Sequence, residues 1–205
     1  MKTSYRSFWL SKAFSFFGVF PLGIYVVVHF YRNLASLSGV AAFNQRLAST
    51  KSLPLIVPLT ILLLWVPIAF HGFYGLFAMK KSRPHLLQFP YFGHLKYVLQ
   101  RLSGIGLLLF IPAHVYKTSI RPILHARPLS FDDMSWAFHD PLALSLYLLG
   151  VLGVSYHLSN GLWQFCIGWG ITKSEAAMRR IQAGSIFLFM ILFVMGCSSI
   201  LGFYL

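Results

Sequence analysis

Apolar residues in this chain come in long blocks, not in the short alternating or every-third-residue stripes of a soluble fold. Runs free or nearly free of charge cover residues 14–31, 53–79, 97–116, 141–169 and 181–205. Each is near or above the ~20 residues a helix needs to cross the hydrocarbon core of a bilayer. The pattern predicts an all-α membrane protein with five transmembrane helices, residues 1–205 forming one unit without a separate soluble domain. The third run fits only if Arg101 snorkels to the headgroups from the start of its helix. The first run is expected to be retained, since no small-residue cleavage site follows it. Between Lys117 and Asp140, Pro122, Pro128 and three aspartates predict a short cap outside the membrane.

Four histidines interrupt the apolar blocks: His29, His71, His114 and His157. The first two are 42 residues apart and the last two 43. Successive spans run in opposite directions, so His29 comes level with His114, and His71 with His157. At 1.5 Å rise per residue, His29 lies ~24 Å from the N-terminal face of the membrane and His71 ~12 Å from it. An ionisable group inside a membrane helix is expensive and marks something that binds it. Two neutral imidazoles facing each other from different helices are the axial ligand set of a haem iron. The expectation is a bundle of helices one to four around two stacked haems. In the alternative, each histidine hydrogen-bonds a neighbouring helix.

Small residues accompany the histidines. Gly150, Gly153, His157, Gly161 and Gly168 form one stripe on helix four, a groove that lets a flat macrocycle approach the backbone. Close helix packing predicts the same stripe, though not the histidine within it. Gly18, Thr60 and Ser103 lie eleven residues before His29, His71 and His114, about three turns back on the same face, and would leave room for the second haem. Helix four has Leu146 at that offset. Gly75 follows His71 by one turn as Gly161 follows His157, and Gly18 precedes His29 much as Gly104 precedes His114. Helices one–two and three–four thus read as two copies of one hairpin, with helix five added. His85, His94, His125 and His139 fall in loops and read as solvated surface residues.

Composition agrees and adds orientation. The chain is 57% hydrophobic and 10% charged, against roughly a quarter charged for a soluble domain. Of its 17 basic residues, eleven (Lys2, Arg6, Lys12, Lys80, Lys81, Arg83, Lys96, Arg101, Lys173, Arg179 and Arg180) fall on the side of the N-terminus. Six (Arg32, Arg46, Lys51, Lys117, Arg121 and Arg127) fall on the other. The positive-inside rule puts the N-terminus in the cytoplasm. The net charge of +13 serves topology and anionic lipid, or docks an acidic soluble partner; its spread over short loops argues against nucleic acid. Cys166 and Cys197 lie at different depths, so no disulfide is expected, and neither belongs to a haem-attachment motif.

Ser15-Phe-Phe-Gly18-Val-Phe-Pro21 leading to His29, Ser52-Leu-Pro54, Leu99-Gln-Arg-Leu-Ser-Gly104 leading to His114, and His157-Leu-Ser-Asn-Gly-Leu-Trp163 followed by Trp169-Gly-Ile-Thr172 carry a resemblance over nearly the whole chain. It resembles the di-haem cytochrome b subunit of bacterial succinate:quinone oxidoreductases, succinate dehydrogenases and fumarate reductases with a single five-helix anchor. The resemblance implies two haem b groups, with His71 and His157 holding the one nearer the cytoplasm and His29 and His114 the outer one. It implies a flavoprotein subunit with FAD and an iron–sulfur subunit docked on the cytoplasmic face of the bacterial inner membrane. Menaquinone or ubiquinone would react in this subunit, and succinate chemistry would lie outside it. Ser15 and Arg101 match positions near the cytoplasmic haem and become candidates for propionate contacts; Arg101 as a plain topology anchor stays open. Relatives often carry a glutamate near the start of helix two, where this chain reads Pro58-Leu-Thr60-Ile. With Asp132, Asp133, Asp140 and Glu175 all outside the apolar blocks, a carboxylate relay across the membrane is doubtful.

Other readings are a di-haem cytochrome b serving a hydrogenase, a formate dehydrogenase or a transmembrane ascorbate reductase, and a haem-free anchor or proton-conducting bundle with the histidines as relay groups.

Overall fold

A computed structural model describes residues 5–81 and 92–205, without the side chains of Arg6, Lys51, Lys81 and Phe92. Lys2, Arg83 and His85 lie outside the described residues. All regular structure among the described residues is helical, and five helical stretches are long and apolar enough to cross a membrane: Ser7–Ser38, Ile56–Lys80, Gly93–Leu124, Pro141–Gly168 and Glu175–Leu201. Their outward surface is apolar, with Phe73, Leu109 and Leu149 well exposed, as a solvent of lipid tails demands. The chain is a membrane-integral protein.

Prolines decide where the spans depart from a regular helix. Span one breaks between Tyr5–Val19 and Pro21–Asn33, since Pro21 has no N–H to donate to the turn before it. Spans two and three each contain a π turn, Ile61–Trp65 and Tyr116–Ile120. Pro67 and Pro122 follow these turns by two residues, and the carbonyls they leave unserved four residues back, on Leu63 and Thr118, lie inside them. The helical backbone of span three therefore carries on to Leu124, beyond the apolar run that ends at Tyr116.

The cap between spans three and four is itself largely helical. Ser130 and Asp133 form a capping box at the start of helix Phe131–His139, and Arg127 pairs with Asp133. A second surface helix, Val40–Lys51, starts after Gly39, whose φ of +87° only glycine adopts without strain. It lies between the apolar blocks, so the hydrophobic pattern does not predict it. Phe43 and Phe131 from these two helices pack around Phe203 at the C-terminus, with ring centroids 5.0 and 4.9 Å away. Asn44 Oδ1 accepts from the Phe131 amide at 2.9 Å. An aromatic plug thus closes the end of the bundle opposite the N-terminus.

Burial alone would raise the Asp133 carboxyl, but hydrogen bonds from Ser130 and the Arg127 guanidinium outweigh it and hold the group below the usual carboxylate range. A depressed carboxyl stabilises the fold above its unfolded pKa of ~3.9, and that stability is lost as pH falls through the lower folded value. Asp133→Asn is expected to cost about 1 kcal/mol at neutral pH. Hydrogen exchange of helix Phe131–His139 would report it as faster opening at pH 7, and unchanged protection would remove the capping argument.

Span one packs on span two and span three on span four, so the two hairpins are real units of packing. Span five lies along span four, at a distance set by Gly196. A Cβ there would sit 2.5 Å from Val151 and 3.1 Å from Phe30. These contacts hold the four histidine-bearing helices in register.

Candidate haem-binding site

His71 lies against span one. Its Nδ1 is 3.0 Å from the carbonyl oxygen of Phe14, and its ring stacks on the Phe14 ring at 4.3 Å and 11°. A carbonyl only accepts, so Nδ1 carries the hydrogen and the neutral ring presents a bare Nε2. Gly18 makes this seat possible. A Cβ at Gly18 would fall 2.5 Å from His71 Cε1 and 2.9 Å from Nδ1. The missing side chain is therefore filled by an imidazole, whereas the eleven-residue offset suggested open room for a macrocycle.

His157 lies against span three in the corresponding way. Ser103 Oγ is 3.2 Å from its Nδ1, and a Cβ at Gly104 would lie 3.1 Å from its Cε1. Ser103 donates its only hydrogen to the Gln100 carbonyl at 3.0 Å, so toward His157 it can only accept. Gln100 is fixed at both ends of its amide. Its Oε1 accepts from Asn160 Nδ2 at 2.7 Å, and its Nε2 donates to the His157 carbonyl at 3.1 Å. That nitrogen also comes within 3.4 Å of His157 Nδ1, but the serine is nearer and supplies the acceptor. His157 too is left with a bare Nε2.

The two rings meet across the bundle. His71 and His157 have centroids 6.1 Å apart with planes at 87°. Towards the opposite end, the His29 and His114 centroids are 5.8 Å apart with planes at 88°. His29 stacks on Tyr25 at 5.5 Å, and His114 stacks on Phe110 at 5.5 Å with the edge of Tyr147 at 5.6 Å. Among the described residues, His114 Nδ1 and Tyr147 Oη are buried with no hydrogen-bond partner.

This donor set fits haem. Two imidazoles on opposite sides of one metal atom, each nitrogen about 2 Å from it, bring ring centroids about 6 Å apart. No group of three or more His, Cys, Asp or Glu capable of holding a bare ion occurs among the described residues. A pair of imidazoles would hold iron carried by a porphyrin, which would supply one-electron redox chemistry. His114 Nδ1, buried without a hydrogen-bond partner among the described residues, adds nothing to the iron-facing side, which the other ring nitrogen would supply.

Ser15 and Arg101 occupy different surroundings. Ser15 Oγ accepts from Trp169 Nε1 at 3.0 Å and donates to the Lys12 carbonyl at 3.0 Å. Lys12 in turn bonds the Gly168 carbonyl and stands over the Trp169 ring at 5.2 Å. Hydroxyl, indole and ammonium donors thus cluster where span one meets the end of span four. Arg101 lies over the Tyr97 ring at 4.3 Å, and no hydrogen bond joins it to Ser15.

Gln100 and Asn160 fall inside segments that carry the family resemblance, but the sequence assigns no contact to them or to Phe14. The two amides could have been found as polar side chains within apolar spans. The Phe14 carbonyl has no signature in sequence at all.

Comparison with known proteins identifies the family. Residues 79–196 match the family described as succinate dehydrogenase/fumarate reductase transmembrane subunit. The chain is 32% identical over 198 residues to the succinate dehydrogenase cytochrome b558 subunit of Bacillus subtilis (strain 168), an alignment covering 97% of this chain and 98% of that one. This five-span protein belongs to the succinate dehydrogenase/fumarate reductase transmembrane subunit family.

Proposed function

We propose that this chain is the quinone-reactive cytochrome b anchor of a succinate:quinone oxidoreductase, carrying electrons between an iron–sulfur subunit and membrane menaquinone or ubiquinone through two b-type haems. The observation that carries this reading is the pair of histidine couples at centroid separations of 6.1 and 5.8 Å. His71 and His157 hold the haem nearer the N-terminal, cytoplasmic face, and His29 and His114 hold the outer one. Bound haem iron supplies one-electron transfer at each level. The protein orients the four rings, and the partners of the His71 and His157 Nδ1 atoms leave their Nε2 atoms bare for iron. Ser15, through the Lys12–Trp169 cluster, and Arg101 are the candidate donors for propionates on the cytoplasmic side.

The basic N-terminal face receives the iron–sulfur and FAD-bearing flavoprotein subunits in the bacterial inner membrane. Membership of the family favours this assignment over a hydrogenase or formate dehydrogenase cytochrome. Haem extraction and reduced-minus-oxidised spectra of the purified complex test it. Two haems per chain are expected. A haem-free chain would turn the histidines into hydrogen-bonding or relay groups and end the proposal.

A further inference from the structure

The two histidine couples differ in what stands behind their rings. Both Nδ1 atoms of the His71–His157 couple are taken up within the protein, by the Phe14 carbonyl and the Ser103 hydroxyl. In the other couple His114 Nδ1 is buried without a partner among the described residues. An acceptor behind a ligating imidazole makes it a stronger electron donor to the metal and fixes its rotation. We propose that Ser103 is a positioning residue that sets the redox potential of the inner haem through His157, with Gln100 holding the helix turn that presents it; this rests on the di-haem reading above.

The chain of contacts is short and directional. Asn160 Nδ2 donates to Gln100 Oε1 at 2.7 Å, which orients the amide so that Nε2 meets the His157 carbonyl at 3.1 Å. The Gln100 carbonyl takes the Ser103 hydrogen at 3.0 Å. The serine lone pair is thereby turned to His157 Nδ1 at 3.2 Å, close enough to accept its hydrogen. His71 has a backbone carbonyl in the same role, which mutation cannot remove. Ser103 is therefore the side-chain handle on this couple. Removing its oxygen weakens donation from His157 to the iron and disfavours the ferric state. The inner haem becomes easier to reduce.

The test is a redox titration of the assembled, membrane-bound complex, followed by haem absorbance and electron paramagnetic resonance. The inner component is first assigned as the one lost in the His71→Leu variant. In Ser103→Ala the ferric-to-ferrous equilibrium of that component should shift about tenfold toward ferrous, ~59 mV upward for one electron. The outer component should stay in place. Ser103→Thr keeps the hydroxyl and should restore the wild-type value. An unshifted inner component, an equal shift of both components, or a threonine variant that behaves like alanine would each overturn the assignment of Ser103. A wild-type complex without two haems would instead sink the di-haem reading, so the two failures are told apart.

Discussion

Replacing His157 with leucine is expected to halve the haem content of the assembled complex, from two per chain to one. Leucine is close to histidine in volume, so the change removes a ligating nitrogen with little loss of packing. No third histidine, cysteine or carboxylate stands ready to replace it among the described residues. His71 would face the macrocycle alone, and Ser103 would lose a partner at a cost of about 1–3 kcal/mol. The His29–His114 couple lies at another level and has its own aromatic supports in Tyr25, Phe110 and Tyr147. The companion variant His71→Leu should lose the same spectral component. If the two variants lose different components, the couples are drawn across the wrong helices; if both keep two haems, these rings are not ligands.

Gly18→Val should remove that same component with every histidine still in place. The added Cβ would land 2.5 Å from His71 Cε1. The ring has nowhere to retreat, because Phe14 holds it both by its carbonyl at 3.0 Å and by stacking at 4.3 Å. Either span one moves out or the imidazole turns away, and overpacking of this kind costs about 1–3 kcal/mol. Gly104→Ala is the milder counterpart, its Cβ meeting His157 Cε1 at 3.1 Å. Gly106→Ala serves as the control, since a Cβ there meets nothing within 4 Å. Haem-to-protein ratios and the difference spectrum decide the matter. An unaltered spectrum in Gly18→Val would mean that His71 has freedom the packing denies it.

How much of this could be read from the chain depends on what kind of atom does the work. Five spans follow from block length alone, because a bilayer imposes a length that water does not. Levels for the four histidines follow from the alternation of direction. The same reasoning could not reach the Phe14 carbonyl, since a backbone oxygen has no residue code. Ser103 was visible as a small residue on the face of His114, but a helical offset gives a face and not a neighbour. Only the packing of span three on span four turns that serine toward His157. The helix Val40–Lys51 was hidden for a different reason. Its Phe43 is buried by Phe131 and Phe203, residues far away in sequence, and its own pattern carries no strong stripe. The π turns were only half legible: each is followed by a proline two residues on, but Pro112 lies inside helix Phe92–Val115 without one.

Each couple takes one ring from each hairpin: His29 with His114, and His71 with His157. On the di-haem reading proposed above, neither half of the molecule would ligate iron by itself, because its own two imidazoles stand at different heights. Haem absorbance would then report tertiary association, appearing only when the N-terminal and C-terminal halves have found each other. Under the same reading, cofactor insertion and the joining of the halves would be one event during biogenesis.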